Sequence, residues 1–578
     1  MRGRPPARGY VANPCYQPVG GNVGSGWPGL AASIGRGTRV LAVDGPAIAF
    51  WDELERGLAK ALAEQGRQAT FFTTSNWARP WDKVQQLTSS LELADDPDFD
   101  RLASGDLSEL LSPPHLPDVP EGALLVVHGP GAALVPHDAL WYADLPKRYA
   151  EAAVNDGVGC NLFQPDGQGP PTTKRLFFID WPLLDRHRDK LVRSIDCWVD
   201  MQSPQSPAFL DGKSARATLA QLARRPFRTR PTFNTTPWGG HWAQLELGHR
   251  TGAPNTALGY ELIAPESGVL VGQQPGPFVE LPFQLVVISD PVGVLGPPVE
   301  RTFGTSFPVR FDYLDTYGGG NLSVHCHPRQ DYMRSVFGWP YTQHESYYVM
   351  VGGKNQRIFL GLREGVDVGT FYNEAKQADQ NGTPVDISKY VPSFPAEQHQ
   401  LFLIPAGTPH GSGAGNVVLE VSATPYLYSL RFYDWLRRDA GGELRPVHVD
   451  HAFANLDATR TRKAVERELV QRPRVLREGE GWREEMLGAL REMFFEVRRL
   501  VIAPGASAEQ DASRSFHVLN VVSGQGAVLE PQWAEPHEVM YAETIVVPSA
   551  VGRYRVRALG DRPVYLVKSL VPPSRARP

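Results

Sequence analysis

Two histidines in the segment NLSVHCHPRQDYM, His325 and His327, are separated by a single residue. Because successive side chains of a β-strand point to opposite faces, these two imidazoles share one face and Cys326 points to the other. Two imidazoles on one face can chelate a divalent ion, but two ligands do not by themselves make a stable site. The pair therefore predicts a metal site only if neighbouring strands supply further ligands.

Two further side chains of metal-binding type follow on separate apolar runs. Glu345 opens the run in YTQHESYYVMVGG, and His410 lies in a Pro/Gly turn after LFLIPAG. Three imidazoles and one carboxylate from neighbouring strands form a ligand set for a divalent metal, with coordination positions left open for a substrate. We therefore predict that His325, His327, Glu345 and His410 bind one divalent ion. His344 is expected to point to the opposite strand face and to have a structural role.

The chain around these ligands has the pattern of an antiparallel β-protein. After RRPFRTRPTFNTTPWGG, short β-branched or aromatic runs recur between glycines and prolines: GVLVG, FQLVVI, FPVRFDYLD, LSVHCH, SYYVMV, RIFLGL, QLFLIPAG and NVVLEVSA. This pattern indicates a sandwich or barrel. A polar segment from Thr459 to Arg499 predicts a helical connector. Runs such as SFHVLNVVSGQGAV and PVYLVKSLV then suggest a second jelly roll.

The N-terminal part of the chain has a different pattern. Residues 40–43 form a buried strand in this prediction, and an amphipathic helix follows with Leu54, Leu58 and Leu62 on one face. Apolar strands are predicted at QATFFTT, GALLVVHGP and KRLFFID, with helical segments at DLPKRYAEAAV and LLDRHRDKLVRSI. Strands that alternate with helices predict a parallel α/β sheet.

These patterns predict a multidomain protein, since 578 residues are too many for one core. An irregular lead-in rich in Gly and Pro occupies residues 1–35, and an α/β domain with a parallel sheet occupies 36–227. A metal-binding jelly-roll domain follows over 228–440. A helical connector over 441–500 then leads to a second jelly-roll domain over 501–578.

The composition is that of an ordinary globular protein, with 42% hydrophobic and 21% charged residues. The net charge of −5 gives no sign of a nucleic-acid partner. No apolar run approaches the ~20 residues of a membrane helix, and the N-terminus has no apolar core of a secretory signal. The four cysteines have no paired spacing, which favours a reducing, cytoplasmic location.

Several motifs resemble type I phosphomannose isomerases, which are cupins. LSVHCHP is similar to a signature of that family, and QHESYYVM, FLIPAGTPHGSG and YSLRFYDW resemble its later segments. PWGGHWAQLELG is similar to its N-terminal Trp-Gly-Gly motif, and LRPVHVDHAFANL to the stretch that follows the Tyr-Asp-Trp residues. The resemblance covers residues from about 230 to 578, including the second cupin-like block, and the ordered set of motifs is more specific than any one of them.

The resemblance implies roles for individual residues. The ligand set becomes a zinc-type site, in which His325 stands where the family usually has glutamine. Arg431 matches the family's active-site arginine, and Glu345 is a candidate for proton transfer beside its role as ligand. Ser323 matches a serine that lies near the substrate phosphate in the family. Trp238 of the Trp-Gly-Gly motif is expected to anchor the pocket by packing.

Two lysines of the family are absent. Gln343 stands two residues before Glu345 in place of one of them, and Asp312 replaces the other. Arg310 lies on the same strand face as Asp312, where it either substitutes for a lysine or forms an ion pair with Asp312. Because phosphate recognition relies on cations and hydrogen-bond donors, we expect weak or altered activity on mannose 6-phosphate.

The segment VLAVDGPAIAFWDEL resembles the strand, loop and helix of P-loop nucleoside and uridine kinases. Aligning Gly45 with the first glycine of the phosphate-binding motif places Phe50, Trp51 and Asp52 where glycine, lysine and serine or threonine belong. These residues block the backbone nest, remove the cation and add a negative charge. We predict a degenerate kinase-like domain with no nucleotide-binding residues, serving as a scaffold or in dimerisation.

The resemblance implies a metal-dependent aldose–ketose isomerase that interconverts mannose 6-phosphate and fructose 6-phosphate, or a related sugar, through a cis-enediol. The expected partner is a small sugar or sugar phosphate, and a homo-oligomer is compatible with the sequence. Two alternatives stay open: a cupin metalloenzyme of another class, such as an oxygenase, and a non-catalytic sugar-binding regulator. Three histidines and a glutamate also occur in iron and manganese cupins, although Glu345 follows His327 at a longer interval than is usual there.

Overall fold

The structure, a computed structural model, describes residues 9–90, 92–120, 122–249, 252–439 and 441–576. The first eight residues of the predicted irregular lead-in lie outside this part. The rest of the lead-in is more regular than predicted, because it contains two short strands, Cys15–Tyr16 and Gly24–Ser25, and the helix Trp27–Ser33. Among the described residues, no helix combines the length and apolar character that crossing a membrane requires.

A seven-stranded sheet forms the N-terminal unit, and five of its strands run parallel, as predicted. The two strands at one edge are antiparallel to their neighbours. In spatial order the strands are Gly24–Ser25, Ala208–Asp211, Cys197–Asp200, Ala139–Asp144, Val40–Asp44, Leu124–His128 and Ala69–Thr73. The α-helices of this unit are Trp27–Ser33, Trp51–Glu64, Trp81–Thr88, Lys147–Asn155, Thr173–Arg175, Trp181–Leu191 and Gly212–Leu222.

The strand predicted at KRLFFID is wrong, because this segment is helical. Thr173–Arg175 begins a helix that continues as the π-helix Leu176–Asp180 and then as Trp181–Leu191. Leu176 packs into one hydrophobic cluster, whereas Phe178 packs into another. A helix that is apolar on both sides lacks the 3.6-residue period that distinguishes it from a buried strand.

Two sheets form the middle of the chain, with antiparallel pairing between neighbouring strands. The first contains, in spatial order, Leu401–Ile404, Glu345–Val351, Val417–Ala423, Val309–Asp315, Leu258–Leu262 and Thr232–Asn234. The second contains Ser393–Ala396, Gly353–Leu360, His410–Ser412, Val324–Cys326 and Leu430–Tyr433. A smaller three-stranded sheet joins Cys15–Tyr16, Gly268–Gly272 and Phe278–Pro282.

One predicted strand of this region, FQLVVI, is also wrong. It forms the helix Phe283–Ser289, which begins directly after Pro282 and buries four of its apolar side chains. Two short helices with proline at their first positions follow, Pro291–Leu295 and Pro297–Phe303. The other α- and π-helices between residues 228 and 470 are Trp242–Glu246, Gln330–Tyr332, Met333–Phe337, Val368–Asn381, Val449–Asn455 and Arg462–Glu468.

The predicted helical connector over 441–500 is wrong in its second half. From residue 474 onward the chain forms a six-stranded sheet and a four-stranded sheet. The six-stranded sheet contains, in spatial order, Arg474–Gly479, Trp482–Gly488, Glu496–Ile502, Val564–Leu570, His517–Ser523 and Thr544–Val547. The four-stranded sheet contains Ser507–Asp511, Arg553–Leu559, Gly526–Pro531 and His537–Met540. The domain limits themselves, and the jelly-roll order of the strands, stay predictions.

Cross-strand ion pairing explains why the sequence of residues 474–500 predicts a helix although most of these residues form strands. Arg477 lies opposite Glu484, and Glu485 lies opposite Arg499. Each pair forms an ion contact, that of Arg499 with Glu485 at 2.7 Å. Opposite charges on facing strands stabilise a sheet in the way that charges four residues apart stabilise a helix, so a run of alternating charges does not distinguish the two.

The loop after the strand Val40–Asp44 differs from a phosphate-binding loop in its contacts. Phe50 has a left-handed backbone, with φ of 53°, and its side chain is 37% exposed. The indole nitrogen of Trp51 donates to the carbonyl oxygen of Pro46, and the amide of Gly45 donates to the carboxylate of Asp44. The amide of Gly45 and the indole N–H of Trp51 are therefore engaged within the protein.

We predict that the protein neither hydrolyses ATP nor changes its melting temperature when ATP and Mg²⁺ are added. The physical reason is the bulk of Phe50 and the replacement of the phosphate-binding lysine by Trp51. Phosphate release and thermal-shift assays, with an active nucleoside kinase as positive control, measure this. Saturable ATP binding at micromolar concentration that is lost on mutating residues 45–52 would show the prediction to be wrong.

Candidate metal centre and substrate pocket

The register of the five-stranded sheet brings three of the predicted site residues into one row. His325, at the centre of Val324–Cys326, lies opposite His410 on one neighbouring strand and opposite Arg431 on the other. Directly opposed residues of an antiparallel pair point to the same face of the sheet. His327 follows two residues after His325, so its side chain returns to this face.

Glu345 reaches the same point from the other sheet, where it is the first residue of Glu345–Val351. One ligand atom from each of His325, His327, Glu345 and His410 lies within 4.8 Å of every other, and all four residues are buried. The carboxylate oxygen Oε2 of Glu345 is 2.6 Å from Nε2 of His327 and 3.0 Å from Nε2 of His410. The two sheets therefore meet at these four side chains.

Backbone carbonyl groups fix the orientation of all three imidazoles. The Nδ1 atoms of His325, His327 and His410 lie 3.0, 3.2 and 2.9 Å from the carbonyl oxygens of Ser323, Tyr428 and Thr408. Because a carbonyl oxygen only accepts hydrogen bonds, each Nδ1 carries the proton and each Nε2 presents a lone pair. This second hydrogen bond is typical of metal-binding histidines.

The charges of the cluster also fit a cation. Burial lowers the pKa of His325 well below its usual range, with further lowering by His410 and His327, and burial lowers the pKa of His327. Burial alone would raise the pKa of Glu345, but His410 and His327 outweigh it and hold the pKa well below its usual range. A carboxylate and imidazole lone pairs therefore converge in a buried place, where unpaired acceptors are costly. A divalent ion fits this donor set.

A cavity of about 140 Å³ lies over the cluster and is lined by His325, His327 and Glu345. Five further residues that the sequence singled out line it too, although their roles stay predictions: Trp238, Arg310, Ser323, Gln343 and Arg431. Trp238 is buried in the main hydrophobic core, which agrees with a packing role. His344 lies outside this cavity lining, and its Nδ1 accepts a hydrogen bond from the amide of Ala406 at 3.2 Å.

Arg310 is held by acidic side chains of its own pocket. Its Nε donates to Oγ of Ser422 at 2.6 Å and lies 3.6 Å from Asp312, and its Nη2 contacts the carboxylate of Glu420. The predicted ion pair between Arg310 and Asp312 is thus present. Burial raises the pKa of Asp312 to about 6, although Arg310 opposes this shift. The positive charge of Arg310 is consequently compensated before any substrate enters.

Glu420, Tyr347 and Tyr260 are among the lining residues that sequence reasoning missed. Glu420 lies opposite Asp312 on one side and Tyr347 on the other, and Tyr260 lies opposite Asp312, so the four side chains cross the six-stranded sheet in one row. Burial, together with Asp312 and Glu345, raises the pKa of Glu420 well above its usual range. A single glutamate within the apolar run VVLEVSA was the available signal.

Comparison with known proteins finds two relatives of the part of the chain that contains this pocket. The chain is 22% identical over 345 residues to the mannose-6-phosphate isomerase ManA of Bacillus subtilis, covering 59% of this chain and 98% of that protein. It is 23% identical over 324 residues to the mannose-6-phosphate isomerase of Streptococcus mutans, covering 54% of this chain and 89% of that protein. About three-fifths of this chain is homologous to mannose-6-phosphate isomerases. These relatives support an isomerase-like enzyme.

Two further comparisons concern the fold and the N-terminal unit. The crystal structure of the Bacillus subtilis mannose 6-phosphate isomerase matches with a TM-score of 0.48 and 17% identity, covering 60% of this chain and 99% of that one. Residues 26–224 match a family described as a domain of unknown function, DUF8485. This match assigns no activity to the N-terminal unit, and the predicted likeness to nucleoside kinases is not confirmed.

We predict that the purified protein carries about one divalent ion per chain and that His410→Ala removes it without unfolding the protein. Removing one imidazole deletes one of the four protein ligands, so the remaining two imidazoles and carboxylate hold the ion more weakly and it is lost during purification. Elemental analysis measures the metal, and circular dichroism measures the fold. The matched control is His137→Ala, which replaces an exposed histidine of the N-terminal unit. Stoichiometric metal in a variant with alanine at both 325 and 410 would refute the assignment.

Proposed function

We propose that this chain is a metal-dependent aldose–ketose isomerase that interconverts mannose 6-phosphate and fructose 6-phosphate, or a closely related pair of sugars. The observation that carries the proposal is the buried group of three imidazoles and one carboxylate, which lies at a cavity within the region homologous to mannose-6-phosphate isomerases. His325, His327, Glu345 and His410 would hold the ion, with zinc as the metal expected. When bound, the metal supplies a Lewis acid that polarises the carbonyl and hydroxyl oxygens of the sugar.

Arg431 is placed to stabilise negative charge on the substrate. Its side chain lines the cavity, and its Nη1 donates to the carbonyl oxygen of Pro446 at 2.9 Å, which leaves further N–H groups for a ligand. Among the described residues, no carboxylate lies within ion-pair distance of its guanidinium group. A donor fixed in advance beside a developing enediolate lowers the barrier without reorganising.

Proton transfer between the two sugar carbons needs a group that holds a proton near them. We take Glu345 and His325, which both line the cavity, as the candidates among the residues of the cluster. The pKa of Glu345 is held well below its usual range, so this side chain is present as a carboxylate at neutral pH. A carboxylate accepts a proton from a sugar carbon and returns it to the neighbouring one, which is the movement that a cis-enediol pathway requires.

We predict that Arg431→Ala lowers kcat for the isomerisation of mannose 6-phosphate by about 10²–10³-fold, the usual effect of removing one charge-stabilising donor. The measurement compares mannose 6-phosphate, fructose 6-phosphate and the unphosphorylated sugars with metal-loaded protein. Arg438→Ala is the control, since Arg438 is an exposed arginine in the segment that follows the strand Leu430–Tyr433. Unchanged kcat in Arg431→Ala would remove this residue from the mechanism, and turnover of none of these sugars by the wild type would reject the proposed function.

A further inference from the structure

A larger cavity of about 590 Å³ adjoins the pocket over the metal cluster. The two cavities share six lining residues: Thr236, Leu258, Tyr260, Tyr426, Ser429 and Arg431. Half of the larger cavity's lining comes from the N-terminal unit, from three segments that contain Asp98, Arg148 and Lys174. The N-terminal unit thus forms one wall of the space next to the candidate metal centre.

Specific contacts hold this wall against the rim of the metal-binding region. Asp96 accepts a hydrogen bond from Nε2 of His451 at 2.7 Å, and Asp98 lies 3.2 Å from Nε2 of His448. The ring of Phe99, which is buried, lies 4.6 Å from the ring of His448 and packs against Phe337 and Phe178. An aromatic side chain buried between two units, with imidazole–carboxylate contacts beside it, fixes their relative position.

Most charges of the larger cavity are compensated by a neighbour. Arg148 binds both carboxylate oxygens of Glu280, at 2.9 and 2.7 Å. Glu266 accepts a hydrogen bond from the hydroxyl of Tyr426, and Asp98 faces His448. Burial, together with Glu266, raises the pKa of Glu151 to about 7. These side chains leave little net charge for a ligand.

Two cations of this cavity differ from them: Arg431, which both cavities share, and Lys174 of the N-terminal unit. The ammonium group of Lys174 donates to the backbone carbonyl oxygens of Leu93 and Asp96, at 2.9 and 2.5 Å, and an ammonium group has a third N–H to give. Among the described residues, no carboxylate lies within 4.0 Å of its Nζ. Asp100 interacts with the Lys174 charge from further away, and its Oδ1 accepts from the backbone amides of Ser90 and Arg101. The positive charge of Lys174 is therefore held in place but not neutralised.

We propose that the N-terminal unit supplies an anion subsite to the active site, in which Lys174 binds a phosphate-class substituent at the end of the sugar remote from the metal centre. The proposal rests on the proposed function for the identity of the sugar. It also explains how a phosphate could be bound although Arg310 of the inner pocket is already paired with Glu420 and Asp312. Lys174 then takes the part of the cations that are absent at 312 and 343.

The test is Lys174→Gln in the full-length, metal-loaded protein. Glutamine still donates to a carbonyl oxygen but has no charge, and losing a hydrogen bond to a charged group corresponds to about a 10–100-fold change in affinity. We expect KM for the sugar 6-phosphate to rise by about this factor with little change in kcat, and KM for the unphosphorylated sugar to stay the same. Lys174→Arg, which keeps the charge, is expected to restore the wild-type value. Lys190→Gln, on an exposed lysine of the same unit, is the control.

Calorimetric binding of mannose 6-phosphate and of mannose separates this inference from the proposed function. A wild-type preference for the phosphorylated sugar that disappears in Lys174→Gln supports the subsite, even if no sugar is isomerised and the proposed function fails. Isomerisation together with an unchanged preference in Lys174→Gln overturns the subsite and leaves the proposed function standing. If Lys174→Gln does not fold, equal affinity of the wild type for mannose 6-phosphate and for mannose still overturns the proposal.

Discussion

The convergence of one carboxylate and three imidazole lone pairs between two sheets is the constraint on which the rest of this structure depends. Glu345 comes from the six-stranded sheet, and the histidines come from the five-stranded sheet and the segment directly after its strand Val324–Cys326, yet Glu345 Oε2 is 2.6 Å from Nε2 of His327. Such acceptors repel one another in a buried place unless a cation lies among them. The sheets, the carbonyl groups behind each Nδ1 and the cavity above are all arranged around that requirement.

The two cavities beside the cluster differ in the cations that line them. In the inner pocket Arg310 is engaged by Asp312, Glu420 and Ser422, so in the proposed mechanism the charge that polarises a substrate would come from the metal and from Arg431. In the larger cavity the N-terminal unit contributes a lysine whose charge is not paired. The N-terminal unit thereby forms one wall of the cavity beside the candidate metal centre.

The C-terminal pair of sheets also buries polar side chains, but it satisfies them in a different way from the pair that contains His325, His327, Glu345 and His410. Lys568 is buried there, where it contacts Glu484 and donates to Gln510 at 2.7 Å, and His517 shares a hydrogen bond with Tyr554. Among the described residues, the group around Glu345 is the one in which ligand atoms converge as a metal site requires. A paired lysine and glutamate satisfy each other inside this second pair of sheets, so its interior needs no ion.

The sequence by itself determined the ligand types, the shared face of His325 and His327 and the parallel N-terminal sheet, because these follow from periods of two or from alternating elements along the chain. Only the tertiary structure decided which residues stand opposite one another: Arg431 beside His325, Glu420 beside Asp312, and Lys174 at the cavity of another unit. The segments FQLVVI, KRLFFID and 474–500 were misjudged for the same reason. In FQLVVI and KRLFFID, apolar residues on all sides hide the 3.6-residue period of the helix. In 474–500, opposite charges on facing strands give a charge pattern like that of a helix. In each case the contacts that decide the structure are made with residues far away in the sequence.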